Sequence, residues 1–236
     1  MIIARHEPLQ TLEDHVSACL KAFESLRRGK FWKLFGEKVE KELRIAIVLH
    51  DSGKIFYQTK KNFLGHELFS TYISHVFTKY LDLDSRLVEA TILYHHYAMG
   101  LKKRIERFKS KFGEFKVCEK SEEFERILEG HESIVLKYIG LERSVAKEAM
   151  ESVKESIRNH LNGCKLRYGG ILQILEEENK EIWMTFVGEK DFRRSMLFCI
   201  NMMTLVDYAG VVKTEERGFG GIVEEFLRIY APLSRL

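Results

Sequence analysis

The chain has 236 residues, a hydrophobic content of 45% and a formal net charge of +3 at pH 7. This hydrophobic content is enough for a core and argues against a disordered chain, whereas the weak net charge does not by itself indicate a nucleic-acid partner. The longest apolar stretch, residues 196–206, is too short to span a bilayer, and the first residues lack the apolar segment of a signal peptide. We therefore expect a soluble, cytoplasmic protein without a membrane partner.

The elements predicted along the chain are mostly helices, because only 2 prolines occur and long stretches are rich in Leu, Glu and Lys. Thr11 is a predicted N-cap, with Asp14 three residues on, for a helix that extends to about Leu26. Gly53 is expected to end the second helix in the left-handed conformation, and Gly100 to close a later loop. The further helices are predicted over about 36–50, 66–80, 85–96, 141–160, 166–178, 192–209 and 222–230.

The 4 cysteines are Cys19, Cys118, Cys164 and Cys199, and none lies in a C-x-x-C pair. This spacing suggests neither a zinc knuckle nor a disulfide framework. We expect all of them to be unpaired core side chains, which fits a reducing cytoplasm.

The strongest local motif is the string His50-Asp51-Ser52-Gly53-Lys54. Neighbouring residues on a helix point about 100° apart, but at a helix end opened by glycine both His50 and Asp51 can reach one metal ion. An imidazole nitrogen and two carboxylate oxygens are suitable ligands, and Lys54 is placed to meet a phosphate. The structural alternative is that His50 is a cation at a helix C-terminus and Asp51 a capping group.

Other histidines and one acid lie at similar positions. His66 begins a predicted helix, and His95-His96 end another beside an apolar run, where burial without partners would be costly. Asp207 lies among apolar residues late in a helix, so its carboxylate must pair with a basic side chain or coordinate a cation. Three further histidines are interpreted as surface residues: His6, His131 and His160.

Residues 101–116 are basic, with Phe108, Phe112 and Phe115 interleaved, and an acidic stretch over 119–132 follows. This pattern fits a single-strand track on which aromatic rings stack against bases. An amphipathic helix with the phenylalanines in the core explains it equally well. The predicted nucleic-acid contacts are Lys102, Lys103, Arg104 and Arg107.

Taken in order, these motifs resemble the HD phosphohydrolase superfamily, and within it the CRISPR-associated HD nuclease that accompanies the type I interference helicase. The residues that carry the resemblance are Ala4, Leu12-x-x-His15, His50-Asp51-Ser52-Gly53-Lys54, His66-Glu67-x-x-Ser70, His95-His96 and Asp207. The resemblance implies an all-α, HD-domain-like helical bundle, with a helical insertion or C-terminal extension, in a single HD nuclease domain over 1–236. The basic and acidic segment at about 101–165 carries no family motif and is interpreted as the insertion.

The resemblance also implies a set of metal ligands. One ion would be held by His15, His50, Asp51 and Asp207, and Asp51 would bridge to a second ion held by His66, His95 and His96. Asp51 and Lys54 would be the catalytic residues, with Lys54 on the scissile phosphate. Mixed imidazole and carboxylate ligands suit manganese, iron, cobalt or nickel, with magnesium left open.

The activity implied by the resemblance is hydrolysis of single-stranded DNA or RNA during CRISPR interference, as an endonuclease or exonuclease, through a metal-activated water. No G-x-x-x-x-G-K-[ST] loop occurs in the sequence, so we expect a separate CRISPR helicase subunit and a CRISPR effector complex as partners. Two alternatives stay open. One is an HD phosphohydrolase of nucleotides or cyclic nucleotides, and the other is a non-catalytic adaptor in which the metal is structural.

Overall fold

The computed structural model of the chain describes residues 1–7, 9–29, 32–60, 62–81, 83–96 and 101–211, with the backbone alone at positions 34 and 35. The predictions for Gly100 and for a helix over 222–230 lie outside these residues. The α-helices in chain order are α1 (Leu12–Arg27), α2 (Trp32–Phe35), α3 (Glu40–Leu49), α4 (His66–Tyr80), α5 (Ser85–Tyr94), α6 (Leu101–Lys111), α7 (Ser121–Tyr138), α8 (Arg143–Asn159), α9 (Tyr168–Gly188) and α10 (Lys190–Gly210). Short 3₁₀ helices cover Gly36–Lys38 and Ser52–Tyr57.

The strands are short and antiparallel. β1 (Ile3–Arg5) pairs with β2 (Gln10–Thr11), and β5 (Lys165–Leu166) lies between β3 (Phe115–Lys116) and β4 (Leu161–Asn162). Because helices dominate the described residues, the prediction of an all-α helical bundle is confirmed. Among the described helices, none is both long and apolar enough to cross a membrane.

The first helix is fixed by its cap and by one apolar face. The hydroxyl of Thr11 accepts a hydrogen bond from the backbone N–H of Asp14 at 3.1 Å, as the sequence predicts. Val16, Cys19 and Phe23 follow at helical spacing and are fully buried. This face packs against α10, so α1 and α10 bring residues from the two ends of the described chain together.

The chain turns sharply after α3, and the reason differs from the one predicted for Gly53. Gly53 lies in the 3₁₀ helix that starts at Ser52 and does not adopt a left-handed conformation. A Cβ at this position would lie 2.1 Å from the carbonyl oxygen of His66 and 2.7 Å from the amide nitrogen of Ser70. Glycine is therefore required because α4 approaches the backbone here, and the Gly53 N–H donates to Ser70 Oγ at 2.8 Å.

The segment at about 101–165 packs into the same core as the motif-bearing helices. The ring of Phe69 on α4 lies 5.4 Å from that of Phe108 and 5.5 Å from that of Phe115. Phe56, just after the turn, lies 5.7 Å from Phe124 on α7, a helix that forms over most of the predicted acidic stretch. The interleaved phenylalanines are thus core residues, which supports the second of the two interpretations of the basic segment.

Two of the cysteines differ from the prediction. Cys118 and Cys164 form a disulfide with their Cα atoms 5.1 Å apart, whereas Cys19 and Cys199 are buried and free. The prediction that all four are unpaired is wrong because strand pairing of β3 and β5 brings together two residues that are 46 positions apart in the chain. Since disulfides are rare in cytosolic proteins, cysteine usage no longer supports a reducing compartment.

Replacing Gly53 with Ala should lower the free energy of unfolding by about 1–3 kcal/mol or more, because the new methyl group meets backbone atoms that cannot rotate away. Gly113→Ala is the control, since a Cβ there meets nothing within 4 Å. Urea unfolding monitored by circular dichroism measures both variants. Equal midpoints for Gly53→Ala and the wild type would show that the close approach to α4 is not required.

Candidate metal centre

Seven residues that the sequence predicts as ligands converge at one end of the bundle. All of them lie in the first or last turn of a helix or directly after its last residue. They are His15 on α1, His50 and Asp51 directly after α3, His66 as the first residue of α4, His95 and His96 directly after α5, and Asp207 in the last turn of α10. Residues up to 192 positions apart in sequence thereby come into contact.

The inner part of the cluster consists of His15, His50, Asp51 and Asp207. The Nε2 atom of His15 lies 3.1 Å from Nε2 of His50, 3.3 Å from Asp51 Oδ2 and 3.0 Å from Asp207 Oδ1. The Nε2 atom of His50 lies 3.6 Å from the same Asp51 oxygen and 3.4 Å from the same Asp207 oxygen. These four side chains, which the sequence assigns to one ion, thus point their ligand atoms at one small volume.

The outer part of the cluster consists of three histidines that lie near the second oxygen of one or the other carboxylate. Asp51 Oδ1 lies 3.1 Å from His66 Nε2, whereas Asp207 Oδ2 lies 3.5 Å from His96 Nδ1 and 4.0 Å from His95 Nε2. The sequence grouped all three histidines around Asp51. In the structure His95 and His96 face Asp207, so each aspartate joins the inner group to a different outer group.

The protonation of the imidazoles follows from their backbone contacts. Because a carbonyl oxygen only accepts hydrogen bonds, a ring nitrogen that contacts one must carry the proton, and the other nitrogen of the neutral ring keeps its lone pair. Four rings make such a contact through Nδ1: His50 to Ile47 O at 2.8 Å, His66 to Phe63 O at 2.8 Å, His95 to Ile92 O at 2.7 Å and His15 to Gly210 O at 3.2 Å. In its neutral form each ring therefore directs an Nε2 lone pair into the cluster, as metal-bound histidines do. Burial opposes a charge on His15, but Cys19, Asp207 and Asp51 outweigh it and raise the pKa of His15 well above its usual value when no cation is present.

Three of the cluster atoms lack a hydrogen-bond partner among the described residues, although they are fully buried: Asp51 Oδ1, His66 Nε2 and His95 Nε2. At 3.1 Å, His66 Nε2 and Asp51 Oδ1 are close enough for a hydrogen bond, but their geometry is not that of one. Since Nδ1 of His66 donates to the Phe63 carbonyl, a neutral His66 ring turns a lone pair toward Asp51 Oδ1. Buried acceptors arranged in this way are unfavourable without a cation between them.

The charges of the cluster match this interpretation. Burial raises the pKa of Asp51, but Lys54 and the neighbouring imidazoles outweigh it and hold that pKa well below its usual value. Burial also raises the pKa of Asp207, but its contacts with His15 and His50 outweigh this effect and hold that pKa well below its usual value. Burial holds the pKa of His95 well below its usual value. Ionised carboxylates beside a neutral imidazole are the forms that bind metal ions.

Lys54 lies at the rim of the cluster. Its ammonium group is 2.6 Å from Asp51 Oδ2 and 5.2 Å from the centre of the Phe63 ring. It borders a cavity of about 470 Å³ that also reaches His66 and Asp207. The predicted catalytic lysine is therefore next to the carboxylate and open to a ligand entering from this side.

Two further residues of the centre were missed or misplaced by the sequence interpretation. His131, predicted at the surface, is fully buried beneath the turn after α3, and its Nε2 lies 2.8 Å from Ser52 Oγ. It shares a helical face with Phe124, Leu128 and Val135, so the spacing of the apolar residues on α7 was the signal for its burial. Cys19, read only as a core residue, has its Sγ 3.7 Å from His15 Nε2 and joins the residues that could hold a metal.

The predicted nucleic-acid residues do not share one environment. Lys102, Lys103 and Arg107 are exposed on α6. Arg104 is 4% exposed, donates a hydrogen bond to the Leu93 carbonyl at 2.5 Å and lies 3.7 Å from Glu67. It therefore supports the end of α5 from inside and is not part of an exposed track.

Comparison with models of known protein families, with curated proteins and with solved structures returned no match for this chain. The described residues do contain His, Asp and Cys groups that could hold a metal ion.

Asp51→Asn should weaken manganese binding by about 10- to 100-fold or more, because the amide supplies neither the charge nor the second anionic oxygen of a ligand shared by two groups. Isothermal titration of the full chain measures the affinity. Asp191→Asn is the matched control, since the side chain of Asp191 is 98% exposed. Equal affinity for Asp51→Asn and the wild type would contradict the proposed centre.

The stability of the protein should fall as the pH falls from 7 to 5, in part because of His131. Burial lowers the pKa of His131 to about 4, whereas the unfolded value is about 6.5. Between these values the unfolded chain binds more protons, so stability rises with pH and at pH 5 the loss is about 2 kcal/mol. Urea unfolding at both pH values should show that His131→Gln removes this part of the dependence, and that His6→Gln, at an exposed position, does not. The same pH dependence in His131→Gln and the wild type would show that His131 is not held neutral.

Proposed function

We propose that the protein is a metal-dependent phosphodiesterase of the HD type that cleaves single-stranded nucleic acid. The observation that carries this proposal is the pair of facing acceptors, Asp51 Oδ1 and His66 Nε2, which lie 3.1 Å apart in a buried cluster of imidazoles and carboxylates. The mixed ligands suit one or two ions of manganese, iron, cobalt or nickel, and magnesium is the less suitable choice because it prefers oxygen ligands. The motif resemblance to CRISPR-associated HD nucleases points to the same activity.

Divalent ions held by such ligands act as Lewis acids on a phosphodiester and lower the pKa of water to about 7. The protein's own contribution is to aim the Nε2 atoms of four imidazoles inward and to keep Asp51 and Asp207 ionised. Lys54 is the residue that would bind the phosphate, since its ammonium group faces the cavity beside Asp51. In this account Lys54 exchanges its contact with Asp51 for one with the substrate.

The surface near the cluster fits a strand better than a free nucleotide. His96 lines both a cleft of about 790 Å³ and the cavity at Lys54. Tyr94, Trp183 and Phe186 line the cleft, and aromatic rings at such a site stack on unpaired bases. A strand with a base in the cleft would place a neighbouring phosphate near His96, whereas a duplex has no free base to insert.

These openings also bear on the two alternatives. An enclosed pocket would be expected for a nucleotide hydrolase, and a closed coordination shell for a structural metal in an adaptor. Over the part of the chain that the structure describes, both clefts open toward solvent, and His96 borders each of them. The open geometry is the reason we favour cleavage of a polymer. A CRISPR helicase and effector complex remain the partners that we propose from the motif resemblance alone.

The purified protein should nick circular single-stranded DNA or RNA in the presence of manganese, and leave a panel of nucleotides and cyclic nucleotides intact. Lys54→Met should lower the rate by about 10²-fold or more, because the variant loses the positive charge that would stabilise the reacting phosphate. Asp51→Asn should abolish cleavage, and Asp191→Asn should retain it. Turnover of nucleotides without nicking would favour the nucleotide hydrolase, and full metal binding without either activity would favour the adaptor.

Charge reversal of Lys102 and Lys103 together should weaken single-strand binding and flatten its salt dependence. Two lost phosphate contacts lower the slope of log K against log salt by about 1.4 for a single strand. Fluorescence anisotropy at several salt concentrations measures the slope, with Lys147→Glu on α8 as an exposed control. An unchanged slope would show that Lys102 and Lys103 on α6 do not contact the single strand.

A further inference from the structure

A second group of candidate ligands lies away from the centre described above. It consists of His75 on α4, Glu89 on α5 and Glu178 on α9, whose ligand atoms lie within 4.8 Å of one another. His75 follows His66 by nine residues on one helix, which places it about 13 Å further along the axis. The group is therefore spatially separate from the ligands at the start of α4.

The contacts within this group centre on one nitrogen. His75 Nδ1 lies 3.1 Å from Glu89 Oε1 and 3.8 Å from Glu178 Oε1. Two carboxylates thus face one imidazole nitrogen, which can donate only one proton. The two carboxylates carry more negative charge than one histidine can balance. Burial opposes a charge on His75, but Glu89 and Glu178 outweigh it and raise the pKa of His75.

The excess of negative charge is most costly at Glu89, because its carboxylate is buried. Its side chain is 0% exposed, and its second oxygen, Oε2, is buried without a hydrogen-bond partner among the described residues. A buried carboxylate with an unsatisfied oxygen is costly unless it is paired or coordinates a cation. Burial and the nearby Glu89 also raise the pKa of Glu178, which shows that the second carboxylate is disfavoured as an anion when no cation is present.

The ligand types and the access both suit a metal ion. Imidazole nitrogens and carboxylate oxygens both bind zinc, and water can take the fourth position beside one histidine and two glutamates. His75 also lines a surface cavity of about 480 Å³, and the side chain of Glu178 is 27% exposed. An ion can therefore enter from solvent without opening the core.

We propose that His75, Glu89 and Glu178 bind a divalent transition-metal ion of the zinc type that links α4, α5 and α9. Such an ion would link α9 to α4 and α5, which lie far from it in sequence, at a point where their packing leaves a carboxylate uncompensated. The two helices α4 and α5 also carry His66 and His95–His96 at their ends. The link would hold these two ends at a fixed separation, and the site does not depend on the proposed nuclease activity.

Zinc binding by the full chain tests the proposal directly. Equilibrium dialysis against zinc, followed by elemental analysis, gives the number of tightly bound equivalents, and thermal unfolding with and without zinc gives the stabilisation. The double variant Asp51→Asn/Asp207→Asn disables the first centre and should still retain one equivalent. Adding Glu178→Gln to it should remove that equivalent and the zinc-dependent rise in Tm.

The control is Glu181→Gln, an exposed neighbour on the same helix whose charge raises the pKa of Glu178. It should leave zinc binding unchanged. His75→Gln serves as a second test, since an amide can still bond to Glu89 but is a poor ligand, and it should behave as Glu178→Gln does. If either variant binds as much zinc as its parent, the cluster is an ion network balanced by protonated His75 and the nearby Lys79, and the proposed site does not exist.

Discussion

The structure of the candidate centre depends on one unfavourable contact, that between the lone pair of His66 Nε2 and the carboxylate oxygen Asp51 Oδ1. The two atoms lie 3.1 Å apart and both are buried, and Nδ1 of His66 already donates to the Phe63 carbonyl, so a neutral His66 ring turns a lone pair toward the carboxylate. A cation bound to both atoms would remove this repulsion. The rest of the bundle holds these atoms in place, and the neighbouring His15, His50 and Asp207 belong to a group that could hold a metal ion.

A hydrogen bond from the imidazole ring to a nearby backbone carbonyl explains why three histidines of the cluster lie at helix ends. His50, His66 and His95 each donate Nδ1–H to the carbonyl three residues earlier, at Ile47, Phe63 and Ile92. At the end of α3 and of α5 this contact also satisfies a carbonyl that has no partner in its own helix. One interaction therefore ends the helix, fixes the tautomer and aims the second nitrogen at the cluster. A histidine in the middle of a helix has no free carbonyl to use in this way.

The sequence predicted most of the helices and singled out the seven residues that the fold brings together. It was insufficient where the answer depended on which face of a helix is buried or on pairing in space. The string from His50 to Lys54 marked the centre because its residue types have few other uses together. Arg104 was misread because counting charges over α6 ignores that it lies on the same face as Leu101, Ile105 and Phe108. The Cys118–Cys164 disulfide depends on strand pairing across 46 residues, and the role of Gly53 depends on the approach of α4. Neither is encoded in local spacing.

The most direct test of the account is the anomalous diffraction signal of crystals of the full chain soaked in manganese. We expect a peak within about 2.0–2.3 Å of both Asp51 Oδ1 and His66 Nε2, with the His66 ring still donating to the Phe63 carbonyl. A map without a peak between these atoms, and with the His66 ring turned so that Nε2 donates a proton to Asp51, would contradict it. The cluster would then be a network of hydrogen bonds without a metal.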